Sequence, residues 1–231
     1  MNKKILIAIF VIVAIVIGVV AYFVLSDYQQ EEKLTAELTE ISNLSNSENM
    51  DINKINEMLD RTVTKGDYAV VEQACKEYLK DSFDNIVKIA EVMNDDKITN
   101  VLTVSNYQED GKEFTNTKNY ITTTKQTLED CKAKYVEFFT QEKAMSYIND
   151  KGLDSYYTDL YKNEFVGDIE SQYTDKTVEN SIDEILGILN VYEEVINFLV
   201  ENQNSWEISN DNIVFNSQSL SDQYTELVNK L

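Results

Sequence analysis

The chain has no histidine, no proline, only six glycines, two cysteines and a single arginine, Arg61. Without histidine, Ser-His-Asp and Cys-His catalysis and His-ligated zinc sites are impossible. Two well-separated cysteines make no metal cluster. There is no Gly-rich phosphate loop and no dinucleotide fingerprint. Few residues break a helix, so long helices are expected.

Positive charge is also scarce. The chain has 20 Lys+Arg against 41 Asp+Glu, a net charge of −21. Such a surface repels nucleic acid and anionic headgroups, which excludes nucleic acid as a partner. Divalent cations, cationic peptides and basic protein surfaces suit it better. The plain alternative is that the charge serves solubility. Lys, Asn, Ile and Tyr are frequent, a mix that resembles the usage of a low-GC bacterium.

One long hydrophobic run is present. Residues 5–25, ILIAIFVIVAIVIGVVAYFVL, carry no charge. A helix of about 20 apolar residues spans the hydrocarbon core of a bilayer. Lys3 and Lys4 precede the run, and Asp27, Glu31 and Glu32 follow it before the next lysine, Lys33. Positive charge stays on the cytoplasmic side. The pattern predicts a cytoplasmic tail over 1–4, a single transmembrane anchor over 5–25 in contact with membrane lipid, and an extracellular remainder. A cleaved signal peptide is the rival reading. Its apolar core is shorter, and bulky Tyr22 and Phe23 follow the passable Val19-Val20-Ala21 site. A four-residue tail cannot carry a signalling domain, so any output would pass through a partner.

Beyond the run the apolar spacing is helical. Leu34, Leu38, Ile41 and Leu44 mark an amphipathic helix that the cluster Ser45–Asn49 interrupts. Ile52, Ile55 and Leu59 make a short stripe fading at Lys65-Gly66-Asp67. These define a membrane-proximal helical region, 26–66. An acidic helical bundle domain follows over 67–231. Its first stripe runs from Tyr68 through Cys75 and Phe83 to Met93. A short helix is expected near Ile98–Leu102, and a turn at Asp110-Gly111. A second long helix passes through Tyr120, Leu128, Cys131 and Phe139 and breaks near Thr140. Lys151-Gly152 reads as a helix stop. Val178, Ile182, Ile185, Leu189, Tyr192, Ile196 and Leu199 recur at 4-3-4-3-4-3, a helix packed along one seam. Trp206–Ile208 and Ile213–Phe215 alternate around Ser209–Asn212, which predicts a β-hairpin. Ser219 is placed as the cap of a last helix bearing Leu220, Tyr224, Leu227 and Leu231. The expected fold is all-α: an N-terminal transmembrane helix, then an extracytoplasmic antiparallel helical bundle with a small C-terminal β-hairpin.

Cys75 and Cys131 lie on apolar helix faces. If their helices form a hairpin closed between Met93 and Thr115, the two lie at similar heights, and a disulfide is a candidate. The alternative is two buried thiols.

Three weaker signals remain. Asn106–Gly111 is similar to the start of a calcium loop, with Asn106 first, Gln108 third and Gly111 sixth. Thr117, however, stands where a bidentate Glu is required, and a polar turn is the competing reading. Glu170-Ser171 resembles the Glu-Ser pair of lytic transglycosylases, which cut cell-wall glycan with one acid. The resemblance covers two residues, and the family's Gly-rich groove motifs are missing downstream. The aromatics Tyr156, Tyr157, Tyr161 and Phe165 would line a groove or, at helical spacing, form core. Trp206 and Phe215 are expected to lid the core.

No catalytic, cofactor-binding or metal-ligating residue is assigned from the sequence. The reading is a non-enzymatic interaction or accessory protein with a protein partner in the cell envelope. The alternatives are an extracytoplasmic binding module for a cation, peptide or small ligand, and a cell-wall hydrolase.

Overall fold

The computed structural model describes residues 28–45, 51–167, 169–173 and 176–231. The expected tail 1–4, the apolar run 5–25 and most of the Ser45–Asn49 interruption lie outside the described residues. Among those described, no helix is long and apolar enough to cross a membrane. The chain is mostly helical, with a two-stranded antiparallel hairpin near its C-terminus.

Helix α1 covers Tyr28–Ser45, α2 Ile52–Asp60 and α3 Asp67–Met93. Short α4 (Asp96–Asn100) and α5 (Val104–Asp110) lead into α6, Thr115–Phe138. Then come α7 (Gln141–Ser146), α8 (Ser155–Leu160), a π-helical turn (Tyr161–Val166), α9 (Ile169–Gln172) and α10 (Thr177–Glu201). Strands β1 (Trp206–Ser209) and β2 (Asn212–Phe215) precede α11, Gln218–Val228. The chain forms two compact units. Of the described residues, the first contains those up to Ala90 with those of Cys131–Val178, and the second contains Glu91–Asp130 with Glu179–Leu231. The described part of the 26–66 region and the segment after it both contribute to the first unit.

In the first unit the predicted stripes are the core. Leu34, Leu38, Ile41, Ile55 and Leu59 are buried, as are Val71, Cys75, Tyr78, Phe83 and Ile86 on α3. Helix directions follow from paired side chains. Lys54 on α2 meets Glu40, and Arg61 just beyond α2 meets Glu37. One number rises as the other falls, so α1 and α2 are antiparallel. Glu31 meets Tyr68 while Glu37 meets Lys76, so α1 and α3 run parallel. The Tyr78 hydroxyl donates to the Phe138 carbonyl at 2.7 Å, and the Asn85 amide donates to the Cys131 carbonyl at 3.0 Å. Helices α3 and α6 are therefore antiparallel here. Tyr78 is the hub of this core, meeting the rings of Phe138, Tyr147 and Phe165 edge-on at 5.6–5.8 Å.

In the second unit the 4-3 seam of α10 is inside: Ile182, Ile185, Leu189, Ile196 and Leu199 are buried. Tyr192 is half-buried. The hairpin has the register Trp206↔Phe215 and Ile208↔Ile213. Its two loop residues, Asn210 and Asp211, both take positive φ. Asn and Asp tolerate that region best among non-glycine residues, and a two-residue loop of this kind matches strand twist. Trp206 is buried and its indole N–H donates to the Leu199 carbonyl at 2.8 Å. Lys112 lies 4.7 Å from the Trp206 ring centre and donates to the carbonyls of Gln203 and Trp206. The cap of α11 is Ser217 rather than Ser219, and it makes no side-chain capping bond. Ser219 instead accepts from the Gln223 amide one turn on.

Candidate functional site

Two polar features stand out: a buried ionic knot in the first unit and a polar cleft in the second. The knot joins three parts of the chain. Glu72 and Lys76 are one turn apart on α3 and pair at 2.7 Å. Their side chains are 0% and 3% exposed. Both flank the apolar stripe of Val71, Cys75 and Leu79, so both point into a protein-filled space. Glu37 of α1, 5% exposed, takes the Lys76 ammonium at 2.9 Å. Arg61 grips the same carboxylate with two nitrogens, at 2.7 and 2.6 Å. Lys76 also donates to the Arg61 carbonyl. Glu72 gathers the loop before α3, accepting from the N–H groups of Val63 and Thr64 and from the Thr64 hydroxyl.

Burial pushes both carboxyls toward the neutral form, but the donors outweigh it. Hydrogen bonds and charge from Arg61 and Lys76 hold Glu37 below its ordinary value. Lys76, Thr64 and Val63 do the same for Glu72. Burial first, then hydrogen bonds with Tyr156 and Glu31 and the charge of Glu31, raise a neighbouring group: Tyr68 donates to Glu31 at 3.0 Å, and its hydroxyl is pushed upward. Tyr156 donates to the same Glu31 oxygen at 2.7 Å while keeping 42% of its surface exposed. These carboxylates are all engaged by donors. Glu37 and Glu72 are held in the charged form by these donors. The knot is a fastener.

The cleft has a volume of about 540 Å³ and lies among α4, α5 and the start of α6. Its wall is the segment singled out as a calcium-like loop. The structure places Asn106–Asp110 on α5, and Gly111 turns the chain with φ +71°. Asp110 then caps α6. Its oxygens accept from the N–H groups of Asn116 and Thr117 and from the Asn116 amide. Burial raises the Asp110 carboxyl, but hydrogen bonds from Thr117 and Asn116 bring it below its ordinary value. A calcium loop winds around the ion so that its ligands converge on it. Here Asn106–Asp110 sit on a helix and only Gly111 turns the chain, so the structure forms neither the calcium loop nor the polar turn. Among the described residues no group of three or more Cys, Asp or Glu is placed to hold a metal.

No family model matches this chain, and no curated protein or solved structure matches it.

The other sequence candidates fall as follows. Cys75 and Cys131 are both buried and are not joined by a disulfide. The bonds from Tyr78 to Phe138 and from Asn85 to Cys131 set the register of α3 on α6. Cys131 lies level with Asn85, about ten residues beyond Cys75, or ~15 Å at 1.5 Å per residue. A bridge needs Cα atoms within about 7 Å. The expected register assumed a tight hairpin between Met93 and Thr115, whereas that segment carries α4 and α5. Burial also pushes the Cys75 thiol well above its ordinary value, leaving it unreactive.

Glu170 sits on four-residue α9 and accepts from the Gln141 N–H at 3.4 Å, where α7 begins. It is exposed and lies beside the start of α7. Among the aromatics, Tyr161 and Phe165 are buried core. Tyr157 packs edge-on against Tyr68 at 5.1 Å, and Tyr156 serves Glu31. Trp206 lids the core of the second unit as expected. Sequence reasoning missed the knot. Its signal was the pair Glu72 and Lys76 beside the buried stripe, together with the only arginine in the chain.

Proposed function

We propose that this chain is a single-pass membrane protein whose acidic helical part lies outside the cell and works by binding a protein of the envelope, not by catalysis. Residues 5–25 are its anchor in membrane lipid, and the bundle beyond is extracytoplasmic. The observation that carries the reading is the ionic knot. The most elaborate buried polar chemistry of the described residues fastens α1, which begins three residues after the apolar run, to α3 and the loop before it. A domain held rigidly at its membrane-proximal helix suits a tethered interaction partner, because position and orientation relative to the bilayer are then fixed. The engaged state of the buried carboxylates and the absence of histidine also favour binding over chemistry.

The test is fractionation of intact cells combined with external protease. The reading expects the chain in the membrane fraction, with the part beyond residue 25 digested from outside, and release from the membrane when residues 5–25 are deleted. A chain protected from protease until the cells are lysed would contradict it.

A further inference from the structure

We propose that the cleft among α4, α5 and the start of α6 binds a small zwitterion of amino-acid or dipeptide size. The proposal is independent of the membrane anchor. Its volume of about 540 Å³ is ample for such a ligand, within the ~300–1,000 Å³ of small-molecule sites.

The cleft is framed by side chains that are already committed. Asp110 is consumed by capping α6. The Asn106 amide ties the Val101 carbonyl to the Thr117 hydroxyl, at 2.8 and 3.1 Å. The Thr103 hydroxyl donates to the Asn100 carbonyl and accepts from the Asn106 N–H. This frame fixes the wall, which is what preorganisation requires. The groups with unused capacity are different ones. Among the described residues, the Lys97 ammonium has no ion-pair partner and the Glu109 carboxylate has no hydrogen-bond partner, and both line the cleft.

Other ligand classes fit poorly. A bare cation lacks three ligating side chains. A phosphate would meet one ammonium with Glu109 and Asp110 beside it, in a chain of net charge −21. A sugar would need an open aromatic face. Lys97 lies over the Tyr120 ring at 5.8 Å, and the Tyr120 hydroxyl is spent on Asp95 at 2.9 Å. A ligand with one charge of each sign satisfies both unused groups: its carboxylate pairs with Lys97 and its ammonium with Glu109.

Isothermal titration of the full-length chain tests this with alanine, lysine, glutamate and alanyl-alanine. Acetate and methylamine serve as single-charge controls. At least one zwitterion is expected to bind saturably. Lys97→Met and Glu109→Gln are each expected to weaken it about tenfold, the loss of one ~1.4 kcal/mol contact. Both residues are exposed, so both variants should melt as the parent does. Saturable binding by no zwitterion would overturn the proposal. So would equal affinity in parent and variants, or controls that bind as tightly as the zwitterions.

Discussion

The Lys76 ammonium lies 2.9 Å from the Glu37 carboxylate, two buried groups 39 residues apart that hold α1 against α3. Lys76 is shared with Glu72, so one cation neutralises two buried anions with help from Arg61. Such a group is costly to remove, because its partners stay behind. Lys76→Met should destabilise the purified full-length chain by about 3–5 kcal/mol, as when one partner of a buried pair is lost. Arg61 is half-exposed, so Arg61→Met should cost clearly less. Urea unfolding of the two variants beside the parent checks the order. Equal losses would show that Lys76 is no more central than a surface cation.

The knot fixes an acid response. Glu37 and Glu72 both titrate below their ordinary value of 4.5 in the folded chain. A carboxylate with a depressed folded pKa contributes stability that is fully present above its unfolded pKa. That contribution is lost as the pH falls through the folded value. The stability should therefore be steady at neutral pH and fall once the pH drops below the ordinary glutamate range. The variant Glu37→Gln/Glu72→Gln should be weaker at pH 7 and lose less on acidification. Parallel acid slopes in variant and parent would contradict this.

The cysteines give a simple chemical check. Thiol titration of unreduced, urea-unfolded chain should find two reactive thiols, and the folded chain should react slowly because both are buried. No reactive thiol in the unreduced unfolded chain would mean that Cys75 and Cys131 are bridged, and the register of α3 on α6 would be wrong.

Phe114 combines full burial with φ +51°, a left-handed backbone that a side chain resists. Its ring meets Tyr107 edge-on at 5.2 Å and lies 6.1 Å from Trp206, so packing holds the strain. Phe114→Ala loses the packing and keeps the strain, while Phe114→Gly loses the packing and relieves the strain. The glycine variant should be the more stable by about 1 kcal/mol, the steric cost of this conformation, reversing the usual order of alanine and glycine. Thermal melts, with the buried Trp206 as fluorescence reporter, would show it.

Much of the fold is legible in the sequence because it follows from apolar spacing. The α10 seam, the ends of α3 at Gly66 and Asn94, the break at Thr140 and the hairpin turn at Asn210-Asp211 are all local signals. The misses are non-local or masked by polarity. Helix α5 reads as a polar turn because only Tyr107 of its residues is buried. The π-helical turn at Tyr161–Val166 shares its aromatic spacing with an ordinary helix. The knot depends on α1 lying parallel to α3, which no spacing within either helix reveals. The same holds for the cysteine register, which α4 and α5 shift.

The most direct test of the tethered-interaction account is cross-linking of intact cells with a membrane-impermeant amine reagent, followed by isolation of the membranes and identification of what the tagged chain has captured. The account predicts one reproducible envelope protein joined to the chain, lost when residues 5–25 are deleted. A chain that the external reagent does not modify, or that is found only in the soluble fraction, would contradict it.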